Sequence, residues 1–233
     1  MTIDISPADT DATSVLDAMA GRKSVRRFLP DPVSHDTIRA ILDTAARAPS
    51  GTNTQPWKAY AVEGAAKERV TQAVIRASDA GETSPSYAYS PERWFEPYKS
   101  RRRKVGFDMY DLLGIAKDDM AGRKQQHHRN FEFFGAPAGL FFTMDANLSY
   151  GSWLDMGIFI GYVMLAARGH GLETCPQAAW QTYGGAVRKA LDISEDEILI
   201  CGMSLGTPDW SAEVNELETE REPAAGFTTF LTD

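Results

Sequence analysis

The chain has 233 residues, 43% of them apolar and 24% charged, which suffices for one sizeable core and excludes a chain that stays disordered. Its net charge of −8 creates a field that repels polyanions and excludes non-specific binding to nucleic acid or to an anionic membrane. An anionic small ligand therefore has to be held by a local cluster of cations.

Residues 1–12 are polar and read as loose. The opening MTIDISPADTDATSV has neither the basic nor the apolar region of a leader. A short amphipathic helix follows, with Val15, Leu16 and Met19 on one face and Gly21 as its stop. Ser34 reads as an N-cap with Asp36 in the first turn, and Ile38, Ile41, Leu42 and Ala45 continue that helix until Ala48-Pro49-Ser50-Gly51 breaks it. Lys58 to Val62 alternates as a short strand. Residues 65–80 read as a helix with Val70, Ala73, Val74 and Ala77 inward.

Residues 84–126 are rich in aromatics and arginines and poor in periodicity, and read as an insertion with one or two helices within a single domain. GLFFTM (139–144) and residues 198–205 read as central, doubly covered strands. Residues 153–168 carry the strongest helical pattern, with Trp153, Met156, Ile160, Val163, Met164 and Ala167 on one stripe. Residues 182–191 read as a further helix. The tail is charged, then ends on Phe227, Phe230 and Leu231, which suit docking on a partner subunit. No run approaches the roughly 18 apolar residues of a membrane span.

The usual chemical motifs are missing. There is no GxGxxG after a strand, no P-loop, no HExxH and no GxSxG. His127 and His128 are adjacent and diverge on a helix; with His35 and His170 they read as surface residues, and no metal is expected. Cys175 and Cys201 sit in apolar surroundings without ligand spacing and read as buried thiols in a reducing cytoplasm. A bound cofactor is the natural reactive centre.

Three distant segments carry a signal. In Arg22-Lys23-Ser24-Val25-Arg26-Arg27-Phe28 the residues Arg22, Ser24 and Arg26 alternate, so an extended backbone points them one way as a phosphate clamp. Alone, the segment reads equally as a solvated basic turn. The run from Ala48 to Trp57 offers amide and hydroxyl groups to a heteroaromatic edge, or is an ordinary loop. Thr174-Cys175-Pro176-Gln177-Ala178-Ala179-Trp180 lets a backbone approach a flat ligand, with a helix start behind it, or is a plain connector.

Taken together, and with ICGMSLGTPD and Arg221-Glu222-Pro223 near the C-terminus, these segments resemble the nitroreductase family. The resemblance runs from about Val15 to Phe230, apart from the insertion. It implies an α+β sandwich with a central mixed sheet and flanking helices, forming an intertwined homodimer with FMN at the interface. The apolar helix from Trp153 would be the dimer helix. By the same resemblance Arg22, Lys23, Ser24, Arg26 and Arg221 grip the phosphate and ribityl chain. Pro49, Ser50, Gly51 and Asn53 serve the partner's flavin, and Arg129 lies near the pyrimidine. The segment Pro176, Gln177, Ala178 and Ala179 brings a backbone N–H to flavin N5. Two departures stand out: Ala178-Ala179 replaces the Glu-Gly of many members, and Thr219 replaces a second basic residue.

PERWFEPYKSRRR and RNFEFFGAP are similar to the branch acting on nitrobenzoate-like and dinitroaniline-like aromatics. The activity implied is transfer of electrons from NADPH or NADH to a small nitroaromatic by a ping-pong route, with no catalytic side chain required. A flavin-storage protein, or a dehalogenating or flavin-cleaving relative, is the rival. The insertion is expected to be a lid whose Trp94, Phe95 and Tyr98 stack on acceptors. In the alternative, its aromatics only anchor it to the core and its arginines face water.

Overall fold

The computed structural model describes residues 14–232. The opening stretch read as loose lies outside the described residues. Two serines start helices, Ser34 as its sequence position suggests and Ser14 in addition. Ser14 Oγ accepts from Asp17 N ahead of α1 (Val15–Gly21), and Ser34 Oγ accepts from Thr37 N at 3.0 Å ahead of α2 (His35–Ala45). The chain then runs through β1 (Lys58–Val62), α3 (Gly64–Asp79), α4 (Tyr98–Leu112), α5 (Met120–His128), β2 (Ala138–Asp145), α6 (Tyr150–Gly169), β3 (Glu173–Gln177), α7 (Gly184–Leu191) and β4 (Glu197–Gly206).

The four strands form one sheet in the order β1-β2-β4-β3, and every pair is antiparallel. The expected mixed sheet is therefore corrected to an antiparallel one. Its parallel character among the described residues is confined to a single bridge from Ser24 to Thr174. The apolar runs were expected at the centre, and β2 and β4 lie there almost wholly buried. A register shift after Phe142 leaves Ile200 bulged. That bulge is why Leu199 packs on one face of the sheet and Cys201, two residues on, on the other.

One face is covered by α2 and α6, with Leu140, Phe142, Met144, Met203 and Leu205 below them. The other packs Phe141 and Leu199 against Val70 and Val74 of α3, Val187 of α7, and a cluster of Phe131, Phe133 and Trp180. Two close approaches fix that cluster. A Cβ on Gly139 would meet the Phe133 ring at 2.2 Å, and one on Gly202 would meet Trp180 Cδ1 at 2.4 Å.

Differences from the sequence reading have local causes. Strand β3 stands where the sequence offers a ligand-approach segment or a plain connector; its Pro176 lacks a donor, which the sheet edge tolerates. The helix expected over 182–191 is a 3-10 turn, Ala178–Tyr183, followed by α7. In α3, Val70 and Val74 are buried as expected, while Ala73 and Ala77 are half-buried.

Helix α6 buries Met156, Val163 and Ala167 as expected, together with Phe159, which stacks on Trp57 with centroids 4.6 Å apart. Its other face leaves Tyr150, Leu154 and Tyr162 exposed, so it is apolar all round. By length and composition it comes nearer to a membrane span than the sequence reading allowed, with a mean hydropathy of 1.2. Its buried, hydrogen-bonded Asp155 and Arg168 and its packing on α2 make it the central helix of this core. The expected apolar face of α1 turns outward: Val15, Leu16 and Met19 are exposed and Ala18 is the buried residue.

Candidate functional site

A groove of about 510 Å³ opens where α1 ends, lined by Arg22, Lys23, Ser24, Arg26, Thr219 and Arg221 among others. Gly21 closes α1 and Arg22 turns extended, with φ −62° and ψ 123°. Ser24 then bridges Thr174, and Val25, fully buried, donates its N–H to Thr174 O at 3.1 Å. Asn215 ties down the rest. Its Oδ1 accepts from Arg26 N at 2.7 Å, and its Nδ2 donates to Arg27 O and Asp209 O. That knot brings the tail back across the segment and sets Arg221 opposite Arg22.

Glu218 also lines the groove and Glu173 lies close enough to act on Arg22, but the hydrogen bonds of these cations go to carbonyl and hydroxyl oxygens. Lys23 donates to Asn215 O, Arg26 to Ser24 O, and Arg221 to Thr219 O, Thr219 Oγ1 and Glu220 O. Among the described residues none of Arg22, Lys23, Arg26 or Arg221 is in an ion pair. Burial, and then the neighbouring Arg221, hold the Arg22 guanidinium below its usual value. A cluster of cations converging on a groove has the donor set that could hold an oxyanion.

The third sequence segment adjoins the first through the Ser24–Thr174 bridge. Burial pushes the Cys175 thiol up to about 11, so it stays protonated and inert. Gln177 is 2% exposed and its amide is spent inside the fold: Nε2 donates to Asn130 O and Oε1 accepts from Ser204 Oγ. It offers a ligand only its backbone. Ala178 and Ala179 begin the 3-10 turn without a side-chain cap, and the first N–H groups of such a turn have no acceptor within it. Arg129 sits beside this segment, since Asn130 O takes the Gln177 bond, and it pairs with Glu132 at 2.7 Å. The chain then turns through Phe133 and Phe134, both buried and both left-handed at φ 52° and 53°, a strained conformation for aromatic residues.

The second segment is elsewhere. Thr52, Asn53 and Gln55 are left-handed, Ser50 Oγ accepts from Gln55 N, and Gly51 N donates to Asp155 Oδ1 at 3.1 Å. Pro49, Gly51 and Asn53 are exposed and Ser50 is half-buried. Asp155 fastens this loop near the start of α6, while Arg168, near its end, fastens Gly21 O and hence the cation groove. At a rise of about 1.5 Å per residue the two anchors are about 20 Å apart along the helix. Within one chain, then, the first and third segments meet and the second does not join them.

The insertion leaves no residue of α4 or α5 buried. Tyr87 is its anchor: Oη donates to Ile200 O at 2.7 Å and the ring meets Trp153 edge-on. Trp94 is covered by Arg102 at 5.4 Å, whereas Phe95 and Tyr98 pack on each other and remain exposed. Arg101 pairs with Glu222 and Lys104 with Glu220, which fastens α4 to the tail segment carrying Arg221. Asp155, Arg168, Glu173 and Asn215 were passed over in the sequence; polar residues inside an otherwise apolar helix were the available signal for the first two.

Residues 19–207 match a family model described as the nitroreductase family. The chain is 41% identical over 213 residues to a 4-nitrobenzoate reductase of Pseudomonas putida, covering 91% of this chain and 93% of that protein. It is 39% identical over 217 residues to a chloronitrobenzene nitroreductase of Comamonas testosteroni, covering 92% and 96%. Among solved structures it is similar to an FMN and NADPH-dependent nitroreductase, NfnB, from Sphigopyxis sp. strain HMH. That match has a TM-score of 0.92 and 38% identity, covering 94% of this chain and all of the other.

Proposed function

Because the chain belongs to the nitroreductase family, we propose that it binds FMN and passes electrons from NADPH or NADH to a small nitroaromatic acceptor. The observation that carries this reading is the groove of unpaired cations, Arg22, Lys23, Arg26 and Arg221, in a chain of net charge −8. One phosphate monoester fits that donor set: guanidinium groups match its oxygens two at a time, and the Ser24 hydroxyl adds a further donor. With no dinucleotide fingerprint in the sequence, FMN fits better than FAD.

When bound, FMN supplies the two-electron chemistry between a nicotinamide donor and the acceptor. The chain's own part is position and charge. Arg22, Arg26 and Arg221 hold the phosphate, and Lys23 raises the local positive potential. The uncapped N–H groups of Ala178 and Ala179 hold the edge of a flat ring. Arg129 favours negative charge near the pyrimidine side, its own charge shared with Glu132. Pro49, Ser50, Gly51 and Asn53 complete the site of a partner subunit in a homodimer. The insertion, within a single domain, forms a lid where Trp94, Phe95 and Tyr98 select flat acceptors. Donor and acceptor then take turns at one face, which gives ping-pong kinetics. This reading places the protein in the cytoplasm, where Cys175 and Cys201 stay reduced.

The clamp is tested by replacing Arg22 and Arg26 with alanine. A hydrogen bond to a charged group contributes about 1.5–3 kcal/mol, so each loss weakens binding by roughly ten- to a hundredfold. The purified double variant should emerge colourless, and the flavin released from the parent should chromatograph as FMN. Recovery of FAD, or full flavin occupancy in the double variant, would overturn the assignment.

A further inference from the structure

Beneath the cation groove lies a buried ion pair. Arg168, in the last turn of α6, and Glu173, the first residue of β3, have side chains 3% and 1% exposed and are hydrogen-bonded to each other. Arg168 Nη1 also donates to Gly21 O at 3.0 Å. That carbonyl belongs to the last residue of α1 and directly precedes Arg22. Glu173 lies close enough to Arg22 and Lys23 to feel both charges, and the residue after it, Thr174, is the one bridged to Ser24. The pair is thus joined to the clamp backbone on both sides: through Gly21 before Arg22, and through Thr174 at Ser24 and Val25.

Burying two charges is weak evidence of a stabilising role, because desolvation offsets most of the attraction. Nor is the pair saturated, since Arg168 Nε and Glu173 Oε2 are buried without hydrogen-bond partners. Its geometry has a more specific consequence. The arginine spans from Glu173 at the start of β3 to the backbone carbonyl that directly precedes Arg22. The glutamate offsets the charge of that arginine, so the groove presents the clamp's cations and not the strut's.

We propose that Arg168 and Glu173 are positioning residues for the anion clamp, Arg168 holding the Gly21–Arg22 backbone in place and Glu173 holding Arg168. Without Arg168, Gly21 O loses its anchor, and the uncompensated Glu173 carboxylate competes with the ligand for Arg22. The proposal rests on the reading of the groove as a phosphate site. Its effect falls on the phosphate and not on the ring, which separates it from a general loosening of the fold.

The test compares FMN with riboflavin, which shares the ring and ribityl chain and lacks the phosphate. Both are titrated by fluorescence quenching into the full-length chain freed of flavin. The variants are Arg168→Met and the double variant Arg168→Met with Glu173→Leu, which leaves no buried charge behind and folds even if the single variant does not. FMN affinity should fall by about tenfold or more in the double variant, while riboflavin affinity changes by less than about twofold. An equal fall for both ligands, or unchanged FMN affinity, would overturn the proposal. If the parent chain itself binds the two flavins equally, the phosphate reading of the groove fails, and the strut with it.

Discussion

Arg22, Ser24 and Arg26 were legible because alternation in an extended segment needs no tertiary information, and the structure sets all three on one groove. Gln177 was legible as a position and not as a role, since only the fold shows its amide spent on Asn130 and Ser204. Glu173 was not legible, because its meaning is its partner, and Arg168 offered only the signal of a charge inside an apolar helix. Glu173 carries a prediction of its own. Burial pushes its carboxyl from 4.5 up to about 7, against the opposing pulls of Arg168, Arg22 and Lys23. An acid whose folded value is raised contributes stability that is complete below its unfolded value and is lost as pH rises through the folded one. The melting temperature should therefore carry a downward component between about pH 4.5 and pH 7 that Glu173→Gln removes, whatever the variant's absolute Tm. A parallel pH profile in the two proteins would show that Glu173 titrates as an ordinary surface acid.

The strong helix and the two central strands could be read from the sequence because their periodicities and runs are long. Strand β3 could not, since a five-residue edge strand containing proline has the signature of a connector. The insertion carries two helices, within the one or two expected, but their bounds were not legible because α4 and α5 leave no residue fully buried and so carry no core periodicity to detect. The anchoring alternative applies to one of its aromatics and leaves two others open to the proposed lid role. Tyr87 anchors, while Phe95 and Tyr98 remain exposed. If the exposed pair selects acceptors, shortening the insertion while keeping Tyr87 should leave NADPH-driven bleaching of the flavin intact. It should also change kcat/KM for different nitroaromatics by unequal factors. A small, uniform change across acceptors would mean that the insertion is scaffolding.

On the two-chain reading proposed above, a single molecule is incomplete as a site. Its Pro49–Asn53 loop and its cation groove are fastened near opposite ends of α6, and α6 also exposes Tyr150 and Leu154. Val15, Leu16 and Met19 of α1 and Phe227, Phe230 and Leu231 of the tail add further uncovered apolar surface. Uncovered apolar surface of this kind suits the proposed dimer, and obligate interfaces typically exceed about 2,000 Å². Sedimentation at low concentration should find a dimer, and Leu154→Lys should release monomer and flavin together. A flavin-loaded monomer would contradict the two-chain site.

A flavin held in the groove and exchanging electrons with NADPH and a nitroaromatic in turn has a signature in anaerobic visible absorbance. The purified protein should show an oxidised flavin spectrum, bleach on addition of NADPH alone, and recover that spectrum on addition of nitrobenzoate after the donor is spent. A colourless protein, or a flavin that NADPH does not bleach or nitrobenzoate does not restore, would contradict the account.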